Sequence, residues 1–457
     1  MPETTDIISM PRVSFAQATR VWAKIGWLSF GGPAGQIALM HRELVEQRRW
    51  ISESRFLHAL NYCMLLPGPE AAQLAIYIGW LMHRTAGGLI AGVLFVLPGV
   101  IVLFGLSVLY AAAGQVPMVM ALFFGVKAAV LAVVVEAVLR IARRALRGRF
   151  FVGVAIAAFL AIHVFGLPFP LIVAGSAALG IGARWWQPRW FPESPTSEAL
   201  AGEGYVIDQM MLRGELAHTE PSRARTLSIA VIGPLLWATP LVLVVALWGH
   251  DSVLAREGTF FSEAAVVTFG GAYAVLAFIA QRVVTDYGWL SPAQMLDGLA
   301  LAETTPGPLI MVVQFVAFMA AFQHQTGMSP WLAGIIGSLL TVWVTFVPCF
   351  LWVFLGGPYI EALRGNRALH SALSAVTAAV VGVVLNLSVW FAEHTIFGSV
   401  RLFRAGPIHL DIPQWSTLSP AALLLAVGAM IAMLRFRVGM LWTLGICAGL
   451  GALFRFL

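Results

Sequence analysis

The sequence predicts an all-α polytopic membrane protein, an inverted-topology repeat of two homologous halves. Each half carries a re-entrant, broken-helix hairpin at a Pro-Gly-Pro motif. Three observations predict this: apolar runs of spanning length, a motif set that occurs twice, and arginines gathered at particular loop ends. Of 457 residues, 59% are hydrophobic and 11% charged, against about a quarter charged in soluble domains. Gly88–Ala112, Val116–Leu139, Thr226–Trp248, Trp331–Phe354 and Ala372–Phe391 are apolar throughout or nearly so. A spanning helix needs roughly 18 such residues.

The motif set fixes the halves. An offset of 239 positions lays Phe30-Gly31-Gly32 on Phe269-Gly270-Gly271, Trp50 on Trp289, Ser52 on Ser291 and Pro67-Gly68-Pro69 on Pro306-Gly307-Pro308, without a gap. Agreement in spacing and in the rarest residues marks a true internal repeat. The N-terminal repeat occupies 1–185 and the C-terminal repeat 249–457. Between them lie a polar cytoplasmic linker, 186–225, rich in Pro, Ser, Glu and Gly, and an extra connecting span, 226–248. The linker composition predicts a mobile segment with a short amphipathic piece around Gln209–Leu216.

Charge sets the topology. Lys and Arg collect on the cytoplasmic side of membrane proteins, so the cluster Arg140, Arg143, Arg144, Arg147 and Arg149 goes inside. Spans then fall at 88–112, 118–140, 150–165 and 168–185. The loop His41–Trp50, with Arg42, Arg48 and Arg49, is also inside, as is Arg84. Glu53–His83 therefore enters and leaves on one side. Each arm about its Pro-Gly-Pro has about 14 residues, or about 20 Å of helix, short of a hydrocarbon core of about 30 Å. The unmatched span at 226–248 inverts the second half, whose spans are 330–355, 369–392, 419–435 and 438–455, with Arg364, Arg367, Arg435 and Arg437 inside. Arg401, Arg404 and Arg455 fall outside in this scheme, against the trend.

The same logic accounts for the net charge of +6 without nucleic acid. Cys63, Cys349 and Cys447 stand singly, with no CxxC spacing, which argues against a disulfide framework or thiol-metal centre. The histidines form neither HExxH nor any i, i+4 pair, so no metal, cofactor or catalytic residue is expected. The N-terminus carries acids and no basic-then-apolar pattern, which predicts no cleavable signal peptide.

Irregular backbone at membrane depth is tolerated where it is buried in protein or lines a watery cavity. Transporters use that exception: broken helices from inverted repeats meet near the midplane and form the substrate site. A half-helix beginning after Gly68 or Gly307 offers unpaired N–H groups and a positive dipole end, with Pro69 and Pro308 expected at the first helical position. Two such ends converging make an anion site.

The duplicated set Phe-Gly-Gly…Trp…Ser…Pro-Gly-Pro resembles the chromate ion transporter family in its long, two-domain form. The resemblance covers nearly the whole chain outside the linker and the extra span. It implies a protein of the bacterial inner membrane that expels chromate with the proton gradient and confers chromate resistance, sulfate being a competing substrate. Ala272 stands where the first copy has Pro33, and Leu309 where it has Glu70, so the copies have diverged beside the breaks.

On these grounds the substrate-binding candidates are Phe30, Gly31, Gly32, Pro67, Gly68, Pro69, Phe269, Gly270, Gly271, Thr304, Thr305, Pro306, Gly307 and Pro308, joined by Lys127 as a cation at membrane depth. Glu136, nine residues along the same helix and so about 13 Å away, is too far to pair with Lys127. The proton-coupling candidates are Glu70, Glu303 and Glu136; Asn61, Gln73 and Gln314 are supporting polar groups that either hold the hairpin arms together or touch substrate. Lys24 is expected to snorkel, and Cys63 to pack. The expected partners are the lipid bilayer, chromate, sulfate and protons, and a homodimer stays open. The rivals are a sulfate importer, a membrane-embedded enzyme, which would need catalytic groups gathered at one depth, and a channel.

Overall fold

The computed structural model describes residues 12–114, 116–191, 204–269, 272–360, 367–406 and 408–456. Gly270, Gly271 and Arg364 lie outside the described residues. The first half runs through α1 (Phe15–Leu28), α2 (Gly32–His41), α3 (Glu53–Cys63), α4 (Glu70–Ala113), α5 (Pro117–Ala145), α6 (Arg149–His163) and α7 (Phe169–Trp186). After α8 (Val206–Leu212) and α9 (Arg223–Trp248) come α10 (Val253–Val267), α11 (Ala272–Gln281), α12 (Pro292–Thr304), α13 (Val312–His324), α14 (Pro330–Gly356), α15 (Arg367–Ile396), α16 (Pro420–Leu434) and α17 (Met440–Phe456).

The offset of the sequence repeat carries over to the helices. Shifted by 239, the start of α3 falls on Pro292, where α12 begins, and α1 falls on α10. In the first half the chain leaves helical geometry at His83 and Arg84 within α4 (φ 55°, ψ −154° at Arg84), and the 70–82 arm folds back on the rest of that helix. Gly79 accordingly meets Gly87 and Ala91. The corresponding stretch of the second half forms two separate packed helices, α13 and α14.

Among the described residues, five helices are long and apolar enough to cross a bilayer: α4, α5, α9, α14 with its final turn, and α15. The spans expected at 150–165, 419–435 and 438–455 appear as shorter apolar helices of 15, 15 and 17 residues. The stretches that lead on from the two Pro-Gly-Pro motifs form the centre of the molecule, with every residue from Ala71 to Met82 and from Thr305 to Ala321 buried. Helix α9 lies at the rim, only Val244 on it being buried. Exposed apolar surface of that extent marks contact with lipid in a chain of this composition.

The halves are interlocked. Helix α5 of the first half packs against α16 and α17 of the second, while its counterpart α15 packs against α6 and α7 of the first. Small residues let these backbones close up: a Cβ at Gly125 would lie 1.8 Å from the Cys447 carbonyl oxygen, and one at Gly382 would lie 2.1 Å from that of Ala155. In the small-residue run 175–183, Gly180 does the same against Ser371, whereas Gly175 and Gly182 meet nothing within 4 Å.

Two features amend the sequence reading. The all-α expectation misses an antiparallel hairpin, β1 (Val400–Ala405) and β2 (Ile408–Pro413), with Arg401 opposite Ile412 and Arg404 opposite His409. Alternating apolar residues about a Gly-Pro turn are a hairpin signal, and a reading tuned to spanning helices passes over it. Arg401 and Arg404 therefore stand on a polar appendage rather than at a span end. The second amendment concerns the linker. Its described part is anchored: Val206 and Ile207 donate backbone N–H groups to the carbonyls of Arg49 and Trp50 (3.1 and 2.9 Å). Asp208, buried, pairs with Arg55, and the His218 ring bonds the Trp80 carbonyl.

The π-helical turn after α2, Arg42–Gln47, is held by Glu43, 2% exposed, which pairs with Lys24 at 2.8 Å and with Arg48. So Lys24 holds this turn. Burial pushes the Glu43 carboxyl up, but the Lys24 ammonium and Arg48 guanidinium outweigh it, so the group titrates below the ordinary 4.5. A carboxyl depressed in the folded state contributes stability above its unfolded pKa, and that contribution is lost as pH falls through the folded value. Glu43→Gln is therefore expected to lower the melting temperature at pH 7, with the gap to wild type closing as pH drops below 4.5. Melting curves across pH 7 to 3 check this; a gap that stayed constant would show that the ion pairs do not supply the stability.

Candidate functional site: crossed breaks and an arginine-lined cavity

Each Pro-Gly-Pro break is tied to the residue that precedes the Phe-Gly-Gly sequence of the other half. The Gly68 N–H donates to the Thr268 carbonyl at 2.8 Å, and the Gly307 N–H donates to the Ser29 carbonyl at 2.8 Å. Ser29 and Thr268 are themselves related by the 239 offset, so the two bonds are equivalent under the repeat. Only glycine takes these positions without strain, since φ is 125° at Gly68 and 96° at Gly307. Each break also rests on a proline-containing helix of the opposite half. A Cβ at Gly307 would lie 3.2 Å from Gly99 Cα in α4, and one at Gly68 would lie 3.1 Å from Cys349 Sγ in α14. Pro98-Gly99 and Pro348-Cys349 thus play matching parts.

This geometry corrects one detail of the expectation. Pro69 and Pro308 are extended N-cap residues rather than first helical residues, and the glycine N–H groups between the prolines are already engaged. The N–H groups left without a partner among the described residues are those of the first turns, Glu70 to Ala72 and Leu309 to Ile310. Gln73 donates to the Pro67 carbonyl at 2.7 Å and Gln314 to that of Val100 at 3.1 Å, so both brace backbone. Gln36 adds a third brace, donating to the Gly307 carbonyl at 2.6 Å. Thr304 and Thr305 back-bond to Leu301 and Ala302, which uses their hydroxyl protons. Asn61 is exposed.

Beside the crossed breaks lies an open cavity of about 650 Å³. Gly31, Tyr273 and Glu303 line it next to the breaks; Glu136, Arg140, Arg143 and Arg144 of α5 and Arg437 of the α16–α17 turn line it elsewhere. Glu303 is buried, and its Oε1 accepts from the Tyr273 hydroxyl at 2.8 Å. Glu136 pairs with Arg140 one turn on. Four guanidiniums face two carboxylates, so two positive charges are uncompensated when both acids are ionised. Guanidinium is the side chain best shaped for tetrahedral oxyanions, which it binds through paired N–H donors.

The candidates therefore divide. Gly31, Glu303 and Glu136 are brought together at the cavity. Phe30, Gly32, Phe269, Pro67–Pro69, Pro306–Pro308 and Glu70 build the crossed breaks without lining it. Lys127 is elsewhere too: it pairs at 3.0 Å with Asp297 of α12, which also accepts from the Tyr110 hydroxyl at 2.8 Å. That bridge joins the halves. Sequence reasoning missed Asp297, Tyr273 and the lining role of the arginines. The unpaired Lys127 was a signal, since a charge at membrane depth needs a partner, but the partner lies on another helix 170 residues away. Cys63 and Cys349 are buried and form no disulfide.

Fold and cavity together define a multi-pass α-helical membrane protein whose repeats enclose a basic vestibule. The chain belongs to the chromate transporter family: the family model described as "Chromate transporter" matches residues 16–181 and 258–452. This is a family of transporters rather than enzymes. A chromate transport protein of Pseudomonas aeruginosa is 32% identical over 395 residues, covering 86% of this chain and 84% of the relative. The chromate transport protein of Cupriavidus metallidurans is 27% identical over 401 residues, covering 86% and 88%. A probable chromate transport protein of Synechococcus elongatus is 27% identical over 406 residues, covering 89% and 91%. No solved structure matches the chain.

Proposed function

We propose that the protein is a secondary transporter that carries chromate out of a bacterial cell across the inner membrane, sulfate being its competitor. The observation that carries the reading is the cavity itself, four arginines opening toward Gly31 and Glu303 beside the crossed breaks. Its uncompensated charge suits a tetrahedral dianion. The names of the relatives supply chromate as the ion.

Direction follows from charge. The arginine end of α5 belongs to the cytoplasmic side by the positive-inside rule, so the mouth faces in, and with an inverted second half the hairpins enter from opposite sides. A membrane potential negative inside favours exit of an anion by about 2.3 kcal/mol per charge per 100 mV. Glu303 is the coupling acid of this scheme, since it alone among the three proposed is both buried and on the cavity.

The test is labelled chromate uptake into energised inside-out vesicles, with sulfate as competitor and an uncoupler added afterwards. Accumulation that the uncoupler collapses is expected. Accumulation only in right-side-out vesicles would make the protein an oxyanion importer, and flux that merely follows the chromate gradient would make it a channel.

A further inference from the structure

The protein has a second cavity, of about 360 Å³, and the repeat relates it to the first. An offset of 250 lays Val376-Thr377-Ala378-Ala379-Val380 of α15 on Val126-Lys127-Ala128-Ala129-Val130 of α5. An offset of 271 lays Ala426, Ala429, Ala432 and Phe436 on Ala155, Ala158, Ala161 and Phe165, matching α16 and its following turn to α6 and its own. On these offsets the lining positions coincide. Asn386, Trp390 and Glu393 line the second cavity where Glu136, Arg140 and Arg143 line the first. Ile162, His163 and Gly166 do so where Met433, Leu434 and Arg437 line the first. The two cavities are one feature of the repeat, made twice.

Helix α11 connects them. Tyr273, near its start, lines the first cavity, while Ala277, Ala280 and Gln281 line the second. From Tyr273 to Gln281 is about 12 Å of helix. The β-hairpin completes the second cavity: the His409 N–H donates to the Val164 carbonyl at 2.8 Å, and Arg404, His409 and Asp411 stand on the lining. With inverted halves, equivalent features open on opposite faces of the membrane, so the second cavity faces out where the first faces in.

The two differ in charge. At equivalent positions Arg140, Arg143 and Arg437 give way to Trp390, Glu393 and Gly166. The carboxylates on the second cavity are Asp286, Glu393 and Asp411, and its guanidinium is Arg404. Counting Arg282, which pairs with Asp286 at 2.9 Å, one negative charge remains while the histidines are neutral. The first cavity is left with two positive charges. A cleft of one sign concentrates ions of the other and repels its own. We propose that the second cavity is the outward vestibule of the path whose inward mouth is the arginine cavity, and that it lets a tetrahedral dianion go where the first gathers it. This rests on the reading of the protein as an oxyanion exporter with inverted halves.

Gln281→Cys puts a thiol on the second cavity, the native Cys63, Cys349 and Cys447 being buried. A charged, membrane-impermeant thiol reagent is expected to react with it in right-side-out vesicles and not in inside-out ones. Reaction should abolish the chromate transport that the same variant shows unlabelled. Sulfate competition in inside-out vesicles, whose lumen is the outer face, tests the charge. Halving chromate uptake should take about tenfold more sulfate in the lumen than in the medium. Glu393→Arg, which restores the residue of the first repeat, should lower the lumenal value by about tenfold. Reaction from the cytoplasmic face, or a labelled protein that transports as before, overturns the proposal. So does sulfate that competes equally from both faces of the wild type. A wild type that moves chromate in neither orientation overturns the transport reading and the proposal with it; the labelled face, read without transport, tells that failure from a misplaced cavity.

Discussion

A valine at position 307 is expected to abolish transport and to lower the melting temperature more than any other single change at the breaks. Gly307 has a φ of 96°, and holding a side chain in such sparsely populated backbone costs about 1–3 kcal/mol. Its Cβ would also meet the backbone of Gly99, 3.2 Å away, and backbone cannot rotate aside. Its N–H and carbonyl are both engaged across the structure, with Ser29 and Gln36. Moving the residue therefore disturbs both halves at once. The same change at Gly68 should cost less, because the atoms in its way are the Gln73 amide and the Cys349 thiol, which can turn. Gly105→Ala is the control, since nothing lies within 4 Å of a Cβ there. Melting curves in detergent and vesicle uptake measure both effects; a Gly307→Val protein that transports normally would falsify the role given to the crossed breaks.

Much of this architecture can be read from the chain, and the part that cannot has a common physical cause. The repeat is legible because glycine and proline at fixed spacing are set by local backbone geometry. The helices that follow the breaks begin at Glu70 and, as a 3-10 turn, at Leu309, one residue after the prolines expected to start them. What escapes is whatever depends on which elements lie side by side. Lys127 finds Asp297, and Gly307 finds Ser29, through packing that no periodicity encodes. The β-hairpin at 400–413 was locally encoded, by alternation and a turn, and is hidden only by the weight of apolar helix around it. The arginines of α5 are a different case. Their number and place were plain, but the positive-inside rule explains them so well that a second role has no visible trace in the sequence. Tyr273, Glu303 and Arg437, all arriving from the other half, show that the cluster faces a cavity.

That second role has its own expected result. Arg143→Ala and Arg437→Ala should each lower chromate uptake at least tenfold, while Arg147→Ala leaves it near wild type. Arg147 lies at the same helix end as Arg143 and has the same value as a topology signal, but it does not line the cavity. If the arginines act only by fixing orientation, the three substitutions are alike. If they draw in a dianion, the lining residues stand apart. A hydrogen bond to a charged group is worth about 1.5–3 kcal/mol, and each 1.4 kcal/mol is about tenfold in affinity, which sets the size of the loss. The variants should also differ in their response to salt. Exposed charges are screened over about 8 Å at physiological ionic strength, so added salt should weaken wild-type uptake more than that of Arg437→Ala. Arg140 is a poorer test, because its removal also frees Glu136, adding an unpaired negative charge to the cavity. Labelled uptake at two ionic strengths, with orientation checked by a reporter at the α6–α7 turn, separates the cases. Equal losses in Arg143→Ala and Arg147→Ala, with orientation intact, would show that the cavity is not where the anion is gathered.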